Sequence, residues 1–535
     1  MVQENEAELR RKRQVLFLLP YHVPGASKEA QTKRGDEYRD PDGILKIDSR
    51  QQWWRTYGRL TGNFYAGLPE QLAREDLDEI TEQPLLNYLL ALSFTRGEVD
   101  FEKNVNLNLI YGDLVAAVYE RGYEKRRAYA PIRHMTLDSF SRVLEEIGLA
   151  AWHGDGRTTT VSEIEEHCKA SGVGKLLEVF QEGAQAGITR LLAAFFFRRY
   201  GSRASGDPTF VFTHKSFGEY LTARRLIRGV EKMVRELDRR ANDPDEGWEE
   251  KEALRHWVQL CGPTAVSSYL RGFLWNEIEL RTLKDISRWQ QEATRLFNYM
   301  LRYGMPMEQI QVTPFIRAMF QSRNAEEALL VALSAFSRRL QRISVIQAPD
   351  QTTFGAWFKR IQGQRRGPES ALAAGCLCYL DLRLAALDMC DFYDADFTGA
   401  DLGQVAGNYT NFLIARFGDA NLNNAIMTYA NLGGADLAHA KLQDANLLAA
   451  NLKGALLRGA DLQRAILQGA DLQDAHLQGA NLQAANLQAA NLQRANLQRA
   501  DLEGANLEGA NMEGANLKGA KGAILPTGKG KGAAK

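Results

Sequence analysis

Ala480-Asn481-Leu482-Gln483-Ala484, Ala485-Asn486-Leu487-Gln488-Ala489, Ala490-Asn491-Leu492-Gln493-Arg494: one five-residue unit returns with its large apolar side chain always third. The same spacing runs from Leu382 to Leu517, giving 28 central positions, and only Gly407 breaks the run of large apolar residues. Five residues advance a helix by roughly 140° per repeat, so no helical stripe results. A flat strand fails too, because an odd repeat flips alternate Leu residues to opposite faces. A corner in every repeat resets the alternation and keeps each Leu inside. Ala then occupies the tight inner positions, while Asn or Asp faces out and hydrogen-bonds turn backbone. The pattern predicts a coil of short strands around a Leu-filled axis.

The unit A-[DN]-L-x-x resembles the pentapeptide-repeat family. That resemblance implies a right-handed, four-sided (quadrilateral) β-helix with a 20-residue coil. Bulky residues recur at that period: Phe392 with Phe412, Phe397 with Phe417, and outward Tyr409 with Tyr429. Gly407 lies 20 before Met427, whose flexible chain fills the gap. Seven coils at roughly 4.8 Å make a rod of about 34 Å. The candidate repeat core includes Leu382, Phe392, Phe397, Phe412, Phe417, Leu422, Leu462, Leu482 and Leu502. Residues 381–401 carry six Asp and one Arg, whereas Gln follows each Leu eight times from Gln463 to Gln498. Those Gln side chains predict ladders up the faces. Solvated, self-pairing faces and a partner-docking surface both fit this pattern.

The rest of the chain is different. Formal charge is zero over 535 residues, with 66 basic and 66 acidic side chains. Gly375–Ala520 has 16 acids and 9 bases, a net of −7, and the tail from Lys521 has four Lys. No part is basic enough to read as a nucleic-acid surface. The five cysteines are an odd number without C-x-x-C spacing. This argues against disulfides or zinc and for a reducing, cytoplasmic setting. Val15–Leu19 is too short for a signal-peptide core and reads as a buried strand. No apolar run is long enough to span a membrane.

Residues 1–365 lack the five-residue period and read as mainly helical. Helices are expected within Glu70–Arg96, around Pro84–Leu90, and over Leu107–Arg127, Leu137–Leu149, Ala253–Phe273 and Ala325–Ile346. Phe210–Phe212 reads as a strand leading into a helix capped by Thr213. Asn242–Gly247 and Gly363–Pro368 read as linkers. Trp53-Trp54 between Arg50 and Arg55 reads as core aromatics beside snorkelling arginines. Glu165-Glu166 and Glu249-Glu250 read as solvated faces, and His153-Gly-Asp155-Gly-Arg157 reads as a turn rather than acid–base machinery.

The string from Phe210 through Thr213-His214-Lys215-Ser216-Phe217-Gly218-Glu219-Tyr220-Leu221 to Ala223 resembles a signature of NACHT-type signalling ATPases. In that family the signature lies in a winged-helix domain. Gln83-Pro84-Leu85-Leu86 is similar to the motif of the family's small helical domain. The resemblance implies that His214 contacts a nucleotide phosphate and that Pro84 lies against adenine. The departure is large: no G-x-x-x-x-G-K-[ST] is present, and the nearest string, Gly172-Val-Gly174-Lys175-Leu176, lacks the first Gly and the hydroxyl. Phosphoryl chemistry therefore has no machinery here.

The expected organisation is a segment over 1–69, a remnant of an ATPase core; helical plus winged-helix-like residues 70–230; helical residues 231–365; the rod over 366–522; and a basic tail over 523–535. The expected function is that of a non-enzymatic interaction protein, without cofactor or metal, with the rod as sensor arm. Expected partners are a protein docked on the rod faces, an upstream-encoded NTPase, and a second copy at the open last coil. A rival reading resembles the pentapeptide proteins that mimic DNA to topoisomerases. A residual nucleotide-binding ATPase fragment is a third.

Overall fold

The computed structural model describes residues 48–102, 106–122, 136–154, 158–183, 197–202, 208–212, 215–364 and 368–522. Val15–Leu19, Thr213, His214, Asp155, Arg157 and the tail from 523 lie outside these residues. The chain divides into two compact units, 1–137 with 186–191, and 138–185 with 192–535.

The first unit contains α1 (Ser49–Thr61), α2 (Glu75–Glu82), α3 (Pro84–Arg96) and α4 (Leu107–Gly122). Asp48 caps α1, its carboxylate accepting from the Arg50 amide, and Gly62 ends it in the left-handed conformation. Pro84 begins α3 at N1, where the missing N–H costs nothing, and so separates it from α2. Trp54 is fully buried and donates from Nε1 to Asn87 Oδ1 at 3.0 Å. Arg50 is also buried, paired with Asp48 at 2.9 Å and Asp78 at 2.8 Å. It is a structural cation, more deeply held than a snorkelling one. Arg96 joins α3 to α4 through Asp113 and Glu120.

Apart from its first residue, α5 (Leu137–Gly154) opens the second unit. It is followed by β1 (Thr158–Thr160), α6 (Val161–Ala170), α7 (Gly174–Gly183), β2 (Phe197–Ser202) and β3 (Pro208–Phe212). The strands form an antiparallel sheet in the order β1-β3-β2. Thr160 ends β1 and forms a capping box with Glu163, so the Thr run supplies both a strand and a helix cap. Gly172 lies in the short connection from α6 to α7, and Gly174 begins α7.

The 28-residue α8 (Lys215–Asn242) is buried along much of its length. It packs closely on α5 at Gly148, where a Cβ would stand 2.8 Å from that of Leu221. Next come α9 (Glu250–Cys261), α10 (Ser268–Glu279), α11 (Leu283–Tyr303) and α12 (Phe315–Leu340). The single helix expected over Ala253–Phe273 is two. Gly262-Pro263 interrupts it, since Pro removes a donor and restricts the residue before it. The helix expected over Ala325–Ile346 starts earlier and stops at left-handed Gln341.

From there β4 (Ser344–Val345) pairs in parallel with β5 (Leu380–Asp381), the first edge of the rod. Between them α13 (Thr353–Gly363) covers the rod's first coil. Phe358 stacks on Phe392 with centroids 4.7 Å apart. The Ala386 amide donates to Gln351 O at 2.7 Å, and Gly355 sits so close to Ala386 O that a Cβ would fall 2.3 Å from it. Buried Arg323 of α12 pairs with Glu327 at 2.8 Å and donates to Ile361 O, holding α13 in turn.

In the rod every parallel bridge joins residue i to i+20, from Asp381↔Asp401 to Asp501↔Lys521. Four corners per coil follow. The second residue after each central position takes φ of about +52 to +76° where it is left-handed, as at Tyr409 (+56°) and Gly479 (+68°). From Leu382 to Leu502 each central amide donates to the next coil, as Leu462 to Asn481 O at 2.7 Å. The proposed core residues, Leu382 to Leu502, are at most 2% exposed. Phe392–Phe412 and Phe397–Phe417 stack within 7° of parallel. Beside Gly407, Met427 Cγ lies 3.6 Å from where a Cβ would be. Burying each such Leu contributes about 1.5–3 kcal/mol.

Candidate functional site

The outward side chains of the rod are set by the corners. Asn and Asp, where they precede a central residue, accept from the amide two residues on, as Asn481 Oδ1 does from Gln483. They also stack in columns: Asn431 donates to Asn411 Oδ1 at 3.1 Å, and Asn451 to Asn431 Oδ1 at 2.9 Å. The expected Gln ladders are sparser. Gln463 donates to Gln483 at 3.1 Å, but Gln483, Gln488 and Gln493 turn to Asp501, Glu508 and Glu513. A nearby carboxylate is the stronger acceptor.

Near the helices, Met389, Tyr409 and Tyr429 occupy one corner in successive coils. They are 72, 58 and 52% exposed. The two Tyr rings stack at 5.0 Å and 6°. Exposed Ile414 and Ile426 belong to the same coils. This is an aromatic ridge on a rigid frame, a composition typical of binding surfaces. Met389 lies 20 residues before Tyr409, so the register finds it, but without a ring it does not stand out in the sequence beside the two Tyr residues.

The Asp-rich stretch beside the ridge is engaged internally. Arg383 lies 2.7 Å from Asp381 and 3.6 Å from Asp401. Asp394 pairs with Arg416 and Asp396 with Arg338 of α12. Asp388 and Asp391 accept from Asn408 and Asn411 at 2.8 Å. Further along, Arg464 grips Asp444 and Arg494 grips Asp474, holding both carboxyls below their usual range.

The other candidates disperse. Pro84 is at the start of α3, half-buried, and its proposed companion His214 lies outside the described residues. His153 lies in the last turn of α5 with Nε2 2.9 Å from Leu260 O, and burial lowers its pKa to about 3. Trp53 stacks on Tyr57, and Arg55 donates to Ala66 O. Glu249 pairs with Arg240 and Glu250 with Arg295. All five cysteines are buried and unpaired. Among the described residues, no His, Cys, Asp and Glu cluster could hold a metal ion, and no helix is long and apolar enough to cross a membrane.

The family model for pentapeptide repeats matches eight copies, over residues 415–454, 445–483 and 485–521. The rod is a pentapeptide-repeat region. Among solved structures, the pentapeptide repeat protein Rfr23 from the cyanobacterium Cyanothece 51142 is 40% identical. The match covers 18% of this chain and 62% of that one, with a TM-score of 0.16. HetL, a pentapeptide repeat protein involved in heterocyst differentiation regulation from Nostoc sp. strain PCC 7120, is 32% identical. It is covered over 86% of its length and 29% of this chain, with a TM-score of 0.12. QnrB1, a plasmid-mediated fluoroquinolone resistance protein, is 17% identical over 26% of this chain and 76% of its own, with a TM-score of 0.21. No curated protein sequence matches the chain. The pentapeptide repeat is thus the family of the C-terminal part.

Proposed function

We propose that the chain is a non-catalytic interaction protein whose pentapeptide rod is a sensor arm on a helical regulatory module. The observation that carries this is the ridge of Met389, Tyr409 and Tyr429, exposed on the coils nearest the helices. Those coils are tied to the module by α13, by the β4–β5 pairing and by Arg338–Asp396. A partner gripping the ridge would therefore act on the helices through a stiff connection. The order helix, strand, helix, helix, hairpin, with sheet order β1-β3-β2, supports a winged-helix-like reading within residues 70–230. With the Phe210–Ala223 string it supports a NACHT-like regulatory role beside a separately encoded NTPase. Pro84 and His214 are then the residues proposed to meet a nucleotide.

The test immobilises the full chain and a Tyr409→Ser/Tyr429→Ser variant against lysate of the source cells. We expect a protein retained by the first and lost by the second. Identical retention by both would sink the ridge as the binding face. The DNA-mimic reading has less support, because the Asp side chains of 381–401 are committed to Arg and Asn within the protein.

A further inference from the structure

The second unit contains a cleft of about 680 Å³ between α5, α6, α8 and α9. Its walls are two converging helix faces. On α5, Arg142, Glu145, Glu146, Leu149 and His153 follow helical spacing. On α8, Arg225, Arg228, Lys232 and Arg235 do the same. Trp248 and His256 form a third wall, stacked at 4.1 Å. The volume falls in the range of small-molecule sites, about 300–1,000 Å³.

The charges divide into two layers. The deep layer is satisfied: Arg225 meets Glu146 at 2.5 Å, and Arg228 meets buried Glu145 at 2.5 Å and Asp138 at 2.5 Å. The outer layer is not. Arg142 has no ion pair among the described residues. Lys232 has only the Trp248 ring, 5.2 Å from its ammonium. Arg235 has Glu236 at 3.9 Å, the limit of an ion pair. Glu231, the third acid of the lining, faces Arg281 at 3.5 Å. The lining thus has five cations against three acids, and each acid already has a cation.

Two of the three histidines register the same field. His153, His167 and His256 all line the cleft. Burial lowers the pKa of each, to about 3 for His153 and about 4 for His256. Nearby cations lower two of them further, Arg225 at His153 and Arg255 and Lys232 at His256, whereas Glu146 and Glu166 oppose the effect of burial at His167. The excess of positive charge at the mouth thus has an apolar and aromatic wall beside it.

We propose that this cleft binds a phosphorylated small molecule, its phosphates bridging Arg142 of one wall and Lys232 and Arg235 of the other. A diphosphate matches three cations in charge, and charge-assisted bonds to guanidinium and ammonium groups favour it. The organic part lies against Trp248 and Leu149. No residue of the rod lines the cleft, so the proposal stands or falls independently of the ridge.

The test is calorimetric titration of the full chain with inorganic pyrophosphate at low salt. One site is expected, weakened by added salt. Arg142→Ala and Lys232→Ala should each weaken it by about tenfold, the usual effect of losing one charge-assisted contact. Lys453→Ala, on the rod, should change nothing. Lys232 is exposed and its variant should fold, which circular dichroism checks. Vesicles containing phosphatidic acid form a second arm. Binding to vesicles without binding to pyrophosphate would overturn the small-molecule assignment. So would no binding at all, or binding indifferent to Arg142 and Lys232.

Discussion

At the scale of single residues, the rod is governed by what each of five positions can hold. Gly407 is informative because it stands where every other central position is large. Its φ is not left-handed, and a Cβ there would meet Phe412 and Met427 at 3.5–3.6 Å, ordinary contact distances. Gly407→Ala should therefore fit without strain and limit the unfolded chain. We expect a gain of about 0.4–1 kcal/mol, read by chemical denaturation. Leu462→Ala is the reverse case: the side chain is 1% exposed, and truncation leaves a hole in the axis. A loss of about 2–5 kcal/mol is expected. If Gly407→Ala destabilised the protein, the space beside Met427 would not be room for a methyl group.

At the scale of elements, the join between helices and rod rests on α13. Phe358 is fully buried between Trp357, Phe354 and the Phe392 ring of the first coil. Phe358→Ala should cost about 3–5 kcal/mol, as for other buried aromatics. It should also uncouple the two parts: thermal unfolding would change from one transition to two. A single unshifted transition would show that α13 is not the cap. This element was hidden in the sequence for a physical reason. The rod repeats, so 28 copies of one environment reinforce one signal. The cap occurs once, and its role depends on a partner surface, Ala386 and Phe392, that is distant in any helical pattern. The Gly262-Pro263 break was legible but overridden by the apolar period on both sides. The cationic cleft was illegible because its side chains come from segments spread over residues 142–260, and only the fold brings them together. The charged face of α8 was periodic, yet periodic charge alone describes any solvated helix.

At the scale of the whole molecule, the rod is a stack in which each coil bonds only to its neighbours, so stability is a sum along one axis. Its two ends differ. The first coil is closed by α13 and by β4, while the last has no such cover among the described residues. The amides of Leu507, Met512 and Leu517 find no next-coil acceptor there, whereas Leu452 donates to Asp471 O at 2.7 Å. Burial follows: Leu452 and Leu502 are fully buried, Leu507 is 4% exposed, and Met512 and Leu517 are only half-buried. Opening should therefore start at the distal end and travel toward the helices. Hydrogen exchange should resolve it as a gradient, with peptides from 502–521 exchanging on the order of a hundredfold faster than those from 442–462. Equal protection along the rod at every concentration would mean that its coils open together, against a nearest-neighbour stack. If instead a second copy docks on the open coil, protection of 502–521 should rise with protein concentration while that of 442–462 stays fixed, since an exposed row of backbone donors favours pairing with another strand edge.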